Sequence, residues 1–213
     1  MAQITHQWLG SELDYQATWT LQQDYLASVL NGEAGDKVFY LEHSPVYTIG
    51  RTRDQSSLGA PSSMPHPVVE INRGGQATFH GPGQLVGYPI IDLRPLGKDL
   101  HLYIRALEEA LIQTCADFGL EATRRDGLTG VWVENRKLAS IGVGVKKWIA
   151  MHGFAINVTQ QSLAGFLAIT PCGIENVSMT SVSSEINREV TVQEFASASQ
   201  PHLEKCIYAL AHS

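Results

Sequence analysis

The segment RGGQATFHGPGQLVGYP, Arg73 to Pro89, constrains this chain more than any other stretch. It holds five glycines, a histidine, an arginine and two glutamines. Strand-like residues bound it: Val68 to Ile71 leads in and Leu85 to Ile91 leads out. A structural turn needs about two to five residues and one or two glycines, so a much longer loop is expected here. Glycine is costly in conformational entropy, and a run of it implies that the main chain itself approaches something closely. Thr78, Phe79 and His80 are bulky and stand mid-loop, which suits the wall of a pocket. The segment is not a phosphate-binding P-loop, because no Gly-Lys-Ser/Thr follows the glycines and it runs into a strand, not a helix. A Rossmann fingerprint fails on the same ground. Its main-chain N–H groups suit a concave anion nest.

Composition sets the outer bounds. A chain of 213 residues suits one domain with a sizeable core. The hydrophobic fraction of 44% and charged fraction of 17% are those of an ordinary globular protein. The first residues, MAQITHQWLGSELDY, show no basic stretch followed by an apolar one, and no run approaches a membrane span. These features point to the cytoplasm, or an equivalent reducing compartment, and to no membrane partner. A net charge of −6 argues against a general nucleic-acid binder.

Strands and helices alternate along the chain. Asp14 to Leu30 reads as a helix with Leu21, Tyr25 and Val29 on one face. Lys37 to Glu42 and Val46 to Ile49 read as strands joined through a turn at Ser44-Pro45. Arg51 to Pro67 reads as loop. Leu100 to Phe118 is the clearest helix, with Ile104, Leu107, Leu111, Cys115 and Phe118 at helical spacing. Gly130 to Val133, Arg136 to Val145 and Trp148 to Val158 read as a strand meander. Thr191 and Glu194 form a capping-box pattern, and Pro201 is expected to break the helix that follows into two pieces. The pattern predicts an α/β or α+β protein with a mixed sheet and flanking helices.

The three cysteines differ in setting. Cys115 and Cys206 lie on apolar helix faces and read as core thiols. Cys172 sits in Ile169-Thr-Pro-Cys-Gly-Ile174, between a stiffening proline and a freeing glycine, where functional groups are commonly displayed. On the residues alone it is either a nucleophile or a buried structural thiol. No cysteine or histidine pairing has zinc spacing, so no metal is expected. A nucleophilic thiol needs a neighbouring positive group, since its ordinary pKa is about 8.5. His80, His152 and Lys137 are the candidates. Lys137 stands beside the expected hairpin tip Glu134-Asn135-Arg136, and taken alone it reads as a solvated hairpin lysine.

RGGQATFHGPGQLVGYP, RKLASIG, HGFAINV and TPCGI, in this order and at these intervals, resemble the octanoyltransferases of protein lipoylation, also called lipoyl(octanoyl) transferases. The resemblance runs from about Val38 through the Cys172 region. It implies one catalytic domain over residues 1–213, with the fold of the biotin and lipoate protein ligases and no cofactor. It also implies transfer of an octanoyl group from octanoyl-acyl carrier protein to a lysine of lipoyl domains. Those domains belong to 2-oxoacid dehydrogenase complexes and the glycine-cleavage H protein. By position, Cys172 matches the nucleophile that carries the acyl group as a thioester, and Lys137 matches the residue that lowers its pKa. Arg73, Gly74, Gly75, Gln76, Ala77, Thr78, Phe79 and His80 match the loop lining the acyl site. Ser140, Ile141 and Gly142, with Gly153, Phe154 and Ala155, match two further wall segments. Phe79 stands where tyrosine is frequent, which removes a hydroxyl from near the site.

Three rival readings share some of these features. An ATP-dependent lipoate ligase of the same fold would not need Cys172. A non-catalytic acyl-binding module would need neither Cys172 nor Lys137. A cysteine hydrolase would use His152. Docking of an acidic carrier onto a net-acidic enzyme calls for a local basic surface, with Arg51, Arg53, Arg124, Arg125, Arg136, Lys146 and Lys147 as candidates.

Overall fold

The computed structural model describes residues 3–50, 64–71, 77–169 and 177–212. The strands, in chain order, are β1 (Thr5–Leu13), β2 (Lys37–His43), β3 (Val46–Ile49), β4 (Val68–Glu70) and β5 (Thr78–His80). They continue as β6 (Gln84–Ile90), β7 (Thr123–Arg125), β8 (Leu128–Val133), β9 (Arg136–Lys146), β10 (Ile149–Asn157) and β11 (Ser178–Met179). The helices are α1 (Tyr15–Leu30), α2 (Leu100–Asp117), α3 (Val182–Ile186) and α4 (Val192–Ala209).

The main sheet runs β1-β2-β6-β10-β9-β8-β7, with β11 added beside β9. Only β1–β2 and β9–β11 are parallel pairs, so the sheet is mixed, as the pattern of elements predicts. Helices cover both faces. Val38, Tyr40, Leu85, Phe154 and Ile156 face the cluster built on α2 and α4. Phe39, Leu41, Val86, Tyr88 and Met151 face α1. Burial on both faces explains why β2, β6 and β10 read as continuous apolar runs without polar alternation. The second sheet is small, in the order β4-β3-β5, with its own cluster of Tyr47, Ile49, Ala77, Phe79 and Phe166.

Capping starts the long helices where the residue types predict. Asp14 accepts the Ala17 N–H at 2.8 Å, and Asp99 accepts that of Leu102 at 2.9 Å. Thr191 accepts the Glu194 N–H at 3.1 Å. The meander β8-β9-β10 and the α2 periodicity are as expected.

Three expectations fail. Thr78–His80 is a strand, not mid-loop, and pairs with β3. The Ser44-Pro45 turn joins β2 and β3 as expected, and it sends them into different sheets. The strand β1, which no sequence pattern announces, shows no clean alternation because Gly10, at φ +128°, interrupts its register twice. The buried face of α1 is Thr18, Gln22, Leu26 and Val29, while Leu21 and Tyr25 pack only partly. Two polar residues disguise that face, and Gln22 is held there by accepting the His152 N–H at 3.0 Å. Pro201 does not divide α4, which runs unbroken through it. Pro201 and Ser197 are both exposed, so the carbonyl that loses its partner meets water. Phe195, Leu203, Cys206 and Ile207 meanwhile hold both halves on the α2 side of the core. Among the described residues, no helix is long and apolar enough to cross a membrane.

Candidate active site

Lys137 is the centre of the site that can be built from the described residues. It begins as an ordinary hairpin position, just past the turn at Glu134-Asn135. The register then shifts: Val131 pairs with Ala139, but Trp132 pairs with Lys137. Leu138 is thus the extra residue of a bulge, and a bulge re-aims the side chains beside it. The result overturns the solvated reading: Lys137 is only 3% exposed. Its Nζ lies 5.3 Å from the Trp132 ring centroid, within cation–π range.

Gly130 makes room for that side chain. Its φ is +127°, and a Cβ there would collide with the Ala139 carbonyl and lie 2.9 Å from Lys137 Cε. The Gly130 N–H donates to Glu108 Oε1 at 2.9 Å. The Glu108 carboxylate is fully buried on α2, and its other oxygen receives Arg105 at 2.7 Å and Arg124 at 3.1 Å. A buried carboxylate is tolerable only when paired and hydrogen-bonded in this way.

The other edge of Lys137 is held by β11. Met179 pairs with Lys137, and the Thr180 N–H donates to the Lys137 carbonyl at 3.0 Å. Since Trp132 occupies the opposite edge, Lys137 is strand-bonded on both sides. Cys172 lies outside the described residues, as do Arg73, Gly74, Gly75 and Gln76.

His80 approaches from the second sheet. Strand alternation turns Phe79 toward Tyr47 and Phe166, and turns Thr78 and His80 the other way, toward Thr48. Phe79 is therefore part of an apolar cluster. Its para carbon, where tyrosine would carry a hydroxyl, lies close against Gly81. The His80 ring is buried beside those of Tyr15 and His43. Its Nδ1 lies 2.8 Å from Gln84 Oε1. His43 bonds the Leu13 carbonyl through Nδ1 and the Tyr88 hydroxyl through Nε2, and desolvation lowers its pKa to about 4.

The two expected wall segments form one patch. Gly142 pairs with Gly153, Ile141 with Phe154, and Ser140 with Ala155. Gly153, at φ +153°, lets β10 approach β6 closely, and the Phe154 ring lies directly on Gly87 in the core. His152 is not brought to Lys137. It pairs with Val143, six positions along β9, or about 20 Å at roughly 3.3 Å per residue. Its ring stacks on Trp19 of α1 instead, at 4.8 Å.

Two residues absent from the sequence-derived set join these parts. Gln84 and Asn157 are almost fully buried and bonded to each other at 3.0 Å. Both stand inside motifs quoted above, HGPGQ and HGFAINV, where a buried amide flanked by apolar residues is the signal that could have found them. Cys115 and Cys206 are core thiols as expected, and burial pushes the Cys115 thiol up to about 12. Of the basic candidates, Arg124 pairs with Glu108 and Glu109, and Arg136 with Glu134 and Glu185. Arg125 lies over Trp132. Lys146 and Lys147 are exposed at the β9–β10 turn, while Arg51 and Arg53 lie outside the described residues. Among the described residues, no group of three or more His, Cys, Asp or Glu is placed to hold a metal ion.

Comparison with known proteins gives the family and the fold. The lipoyl protein ligase A/B catalytic domain model matches residues 14–204. An octanoyltransferase of Geobacter sulfurreducens is 50% identical over 186 residues, covering 87% of this chain and 77% of its own. A bipartite lipoate protein ligase from Thermoplasma acidophilum superposes with a TM-score of 0.69 at 15% identity, covering 99% of this chain and 91% of its own. Biotin protein ligase from Aquifex aeolicus gives 0.59 at 10% identity, covering 98% and 71%. These two likenesses carry the fold, which is that of the lipoate and biotin protein ligases. Being 50% identical to a curated relative over 87% of its own length, the chain belongs to the octanoyltransferases of the lipoyl protein ligase A/B catalytic-domain family and is an acyltransferase.

Proposed function

We propose that this enzyme takes the octanoyl group from octanoyl-acyl carrier protein and passes it to a lysine of lipoyl domains through a thioester on Cys172. The acceptors are the lipoyl domains of 2-oxoacid dehydrogenase complexes and the glycine-cleavage H protein. The whole of residues 1–213 acts as one catalytic domain in the cytoplasm. The observation that carries this reading is the buried Lys137. A lysine is costly to bury without a task, and this one is cradled by Gly130 and paired with β11, soon after Cys172 in sequence.

In the first step the Cys172 thiolate attacks the donor carbonyl. A carbon–sulfur bond forms to Cys172, the carbon–sulfur bond to the carrier breaks, and the carrier sulfur departs as a thiol with a proton from the Lys137 ammonium, which leaves Lys137 neutral. The Lys137 charge favours the attacking thiolate. In the second step the acceptor amine attacks the new thioester. The amide bond forms, the bond to Cys172 breaks, and Lys137 relays the amine proton toward the leaving sulfur. Residues 73–80, Ser140 to Gly142 and Gly153 to Ala155 border the acyl group. Because the donor is already a thioester, no ATP is required, and this separates the reading from that of a lipoate ligase.

Intact-mass analysis after incubation with octanoyl-acyl carrier protein tests it. One octanoyl group, labile to hydroxylamine, is expected on the enzyme and on Cys115→Ser and Cys206→Ser. It is expected to be absent from Cys172→Ser. Lys137→Met should raise the pH at which Cys172 is alkylated. Undiminished acylation of Cys172→Ser, or strict dependence on ATP and free octanoate, would overturn the proposal.

A further inference from the structure

The two polar parts of the site, His80 in the small sheet and Lys137 in the large one, are joined by a buried chain of hydrogen bonds with only one possible direction. Its far end is the Thr180 carbonyl, which can only accept, so the group of Asn157 facing it at 3.0 Å must be the amide nitrogen. Asn157 therefore turns its oxygen to Gln84 Nε2, 3.0 Å away. The same Gln84 nitrogen lies 3.2 Å from the Phe79 carbonyl, a second acceptor-only group, which fixes the Gln84 amide independently. Gln84 must then present its oxygen to His80 at 2.8 Å. An oxygen without a hydrogen can only accept, so Nδ1 of His80 carries a proton, and when the ring is neutral Nε2 is the acceptor. Ring and amide assignments usually rest on choosing a network; here two main-chain carbonyls make the choice. The chain ends beside the lysine, because Thr180, having accepted from Asn157, donates its own N–H to the Lys137 carbonyl.

We infer that Gln84 and Asn157 are positioning residues for octanoyl transfer: they lock His80 as the Nδ1–H tautomer and tie it to the strand pair that holds Lys137. The effect on transfer rests on the proposed function, in which His80 and Lys137 border the reacting groups. The tautomer does not.

The substitution Asn157→Asp separates a chemical role from a merely structural one. When ionised, the introduced carboxylate offers only acceptors and confronts the Thr180 carbonyl with another oxygen. When protonated, the introduced carboxyl donates to Thr180 and accepts from Gln84, restoring the whole chain. Several ionisable groups surround this position. His80 and His43 approach from β5 and β2, Lys137 and Arg136 from β9, and Glu185, which accepts from the Thr180 hydroxyl, from α3. All are present in both proteins, so the comparison with unmodified enzyme at each pH removes their own titration.

The experiment records imidazole nitrogen shifts by NMR, identifying His80 by its loss in His80→Gln, and measures octanoyl transfer against pH. The unmodified enzyme should show His80 protonated at Nδ1 near pH 8. Asn157→Leu should release it toward Nε2–H. Asn157→Asp should be slower by roughly tenfold or more at pH 8, the loss expected for one broken buried hydrogen bond. That deficit should narrow toward pH 6, while Asn157→Leu stays slow throughout. An Nε2–H tautomer in the unmodified enzyme overturns the inference, and this readout needs no active variant, only a folded His80→Gln to assign the signal. An Asn157→Asp deficit that does not change with pH overturns it as well. Failure to acylate Cys172 would instead remove the proposed function and leave the tautomer result standing.

Discussion

The smallest residue near the site carries one of its heaviest constraints. Gly130 is held by the buried Glu108 carboxylate, and its missing side chain is the space that the Lys137 stem fills. Gly130→Ala would force an L residue into φ +127° and drive its methyl into the Ala139 carbonyl and Lys137 Cε. A cost of about 2 kcal/mol or more is expected, with the octanoyl-transfer rate falling further than stability does. Urea unfolding and transfer assays on the same variant check this. Equal stability would show that the strand adjusts freely around a Cβ. The motif RKLASIG singles out Lys137, but its burial is not legible there. A lysine next to a hairpin tip looks solvated. Only the bulge at Leu138, which depends on pairing with another strand, turns it inward. Gln84 and Asn157 are obscured for a related reason: a polar residue in an apolar strand declares itself only when its partners, here from β5 and the Thr180 turn, are known.

At the level of elements, strong periodicity is readable and tertiary compromise is not. The helix α2 and the β8-β9-β10 meander follow directly from spacing. The strand β1 does not, because Gly10 upsets its alternation, and the strand β5 is hidden by its glycine-rich surroundings. The helix α4 is the clearest case of packing overruling local preference. Proline inside a helix costs about 3 kcal/mol or more in isolation, yet α4 continues through Pro201 because its apolar face is docked along the core. Pro201→Ala should restore the N–H that the Ser197 carbonyl lacks. Since the site is exposed, a gain of about 1–3 kcal/mol is expected, read as a higher urea midpoint at unchanged slope. A loss of stability would mean that the ring shapes a bend on which the core depends.

The molecule as a whole should be sensitive to acid through a residue far from any surface. His43 is fully buried, with its ring fixed between the Leu13 carbonyl and the Tyr88 hydroxyl and its pKa lowered to about 4 by desolvation. The unfolded chain takes up this proton at ordinary histidine values, so between about pH 6.5 and 4 it binds a proton that the folded protein refuses. Stability therefore falls as pH drops through that window, by about 3 kcal/mol from this residue. His43→Gln should flatten the pH dependence of the urea midpoint there; an unaltered slope would assign the acid sensitivity to other groups. A different consequence follows from the way β1 is secured. The Ile4 N–H donates to the Tyr208 hydroxyl at 2.7 Å, and His6 meets Glu204 at 2.9 Å. A strand synthesised before the rest of its sheet is thus fastened by a helix synthesised after it. Contacts so distant along the chain form late and slowly, so β1, paired with its near neighbour β2, lacks these two fastenings while the other strands are made. During biosynthesis the free edge of β1 therefore stays open until α4 has left the ribosome.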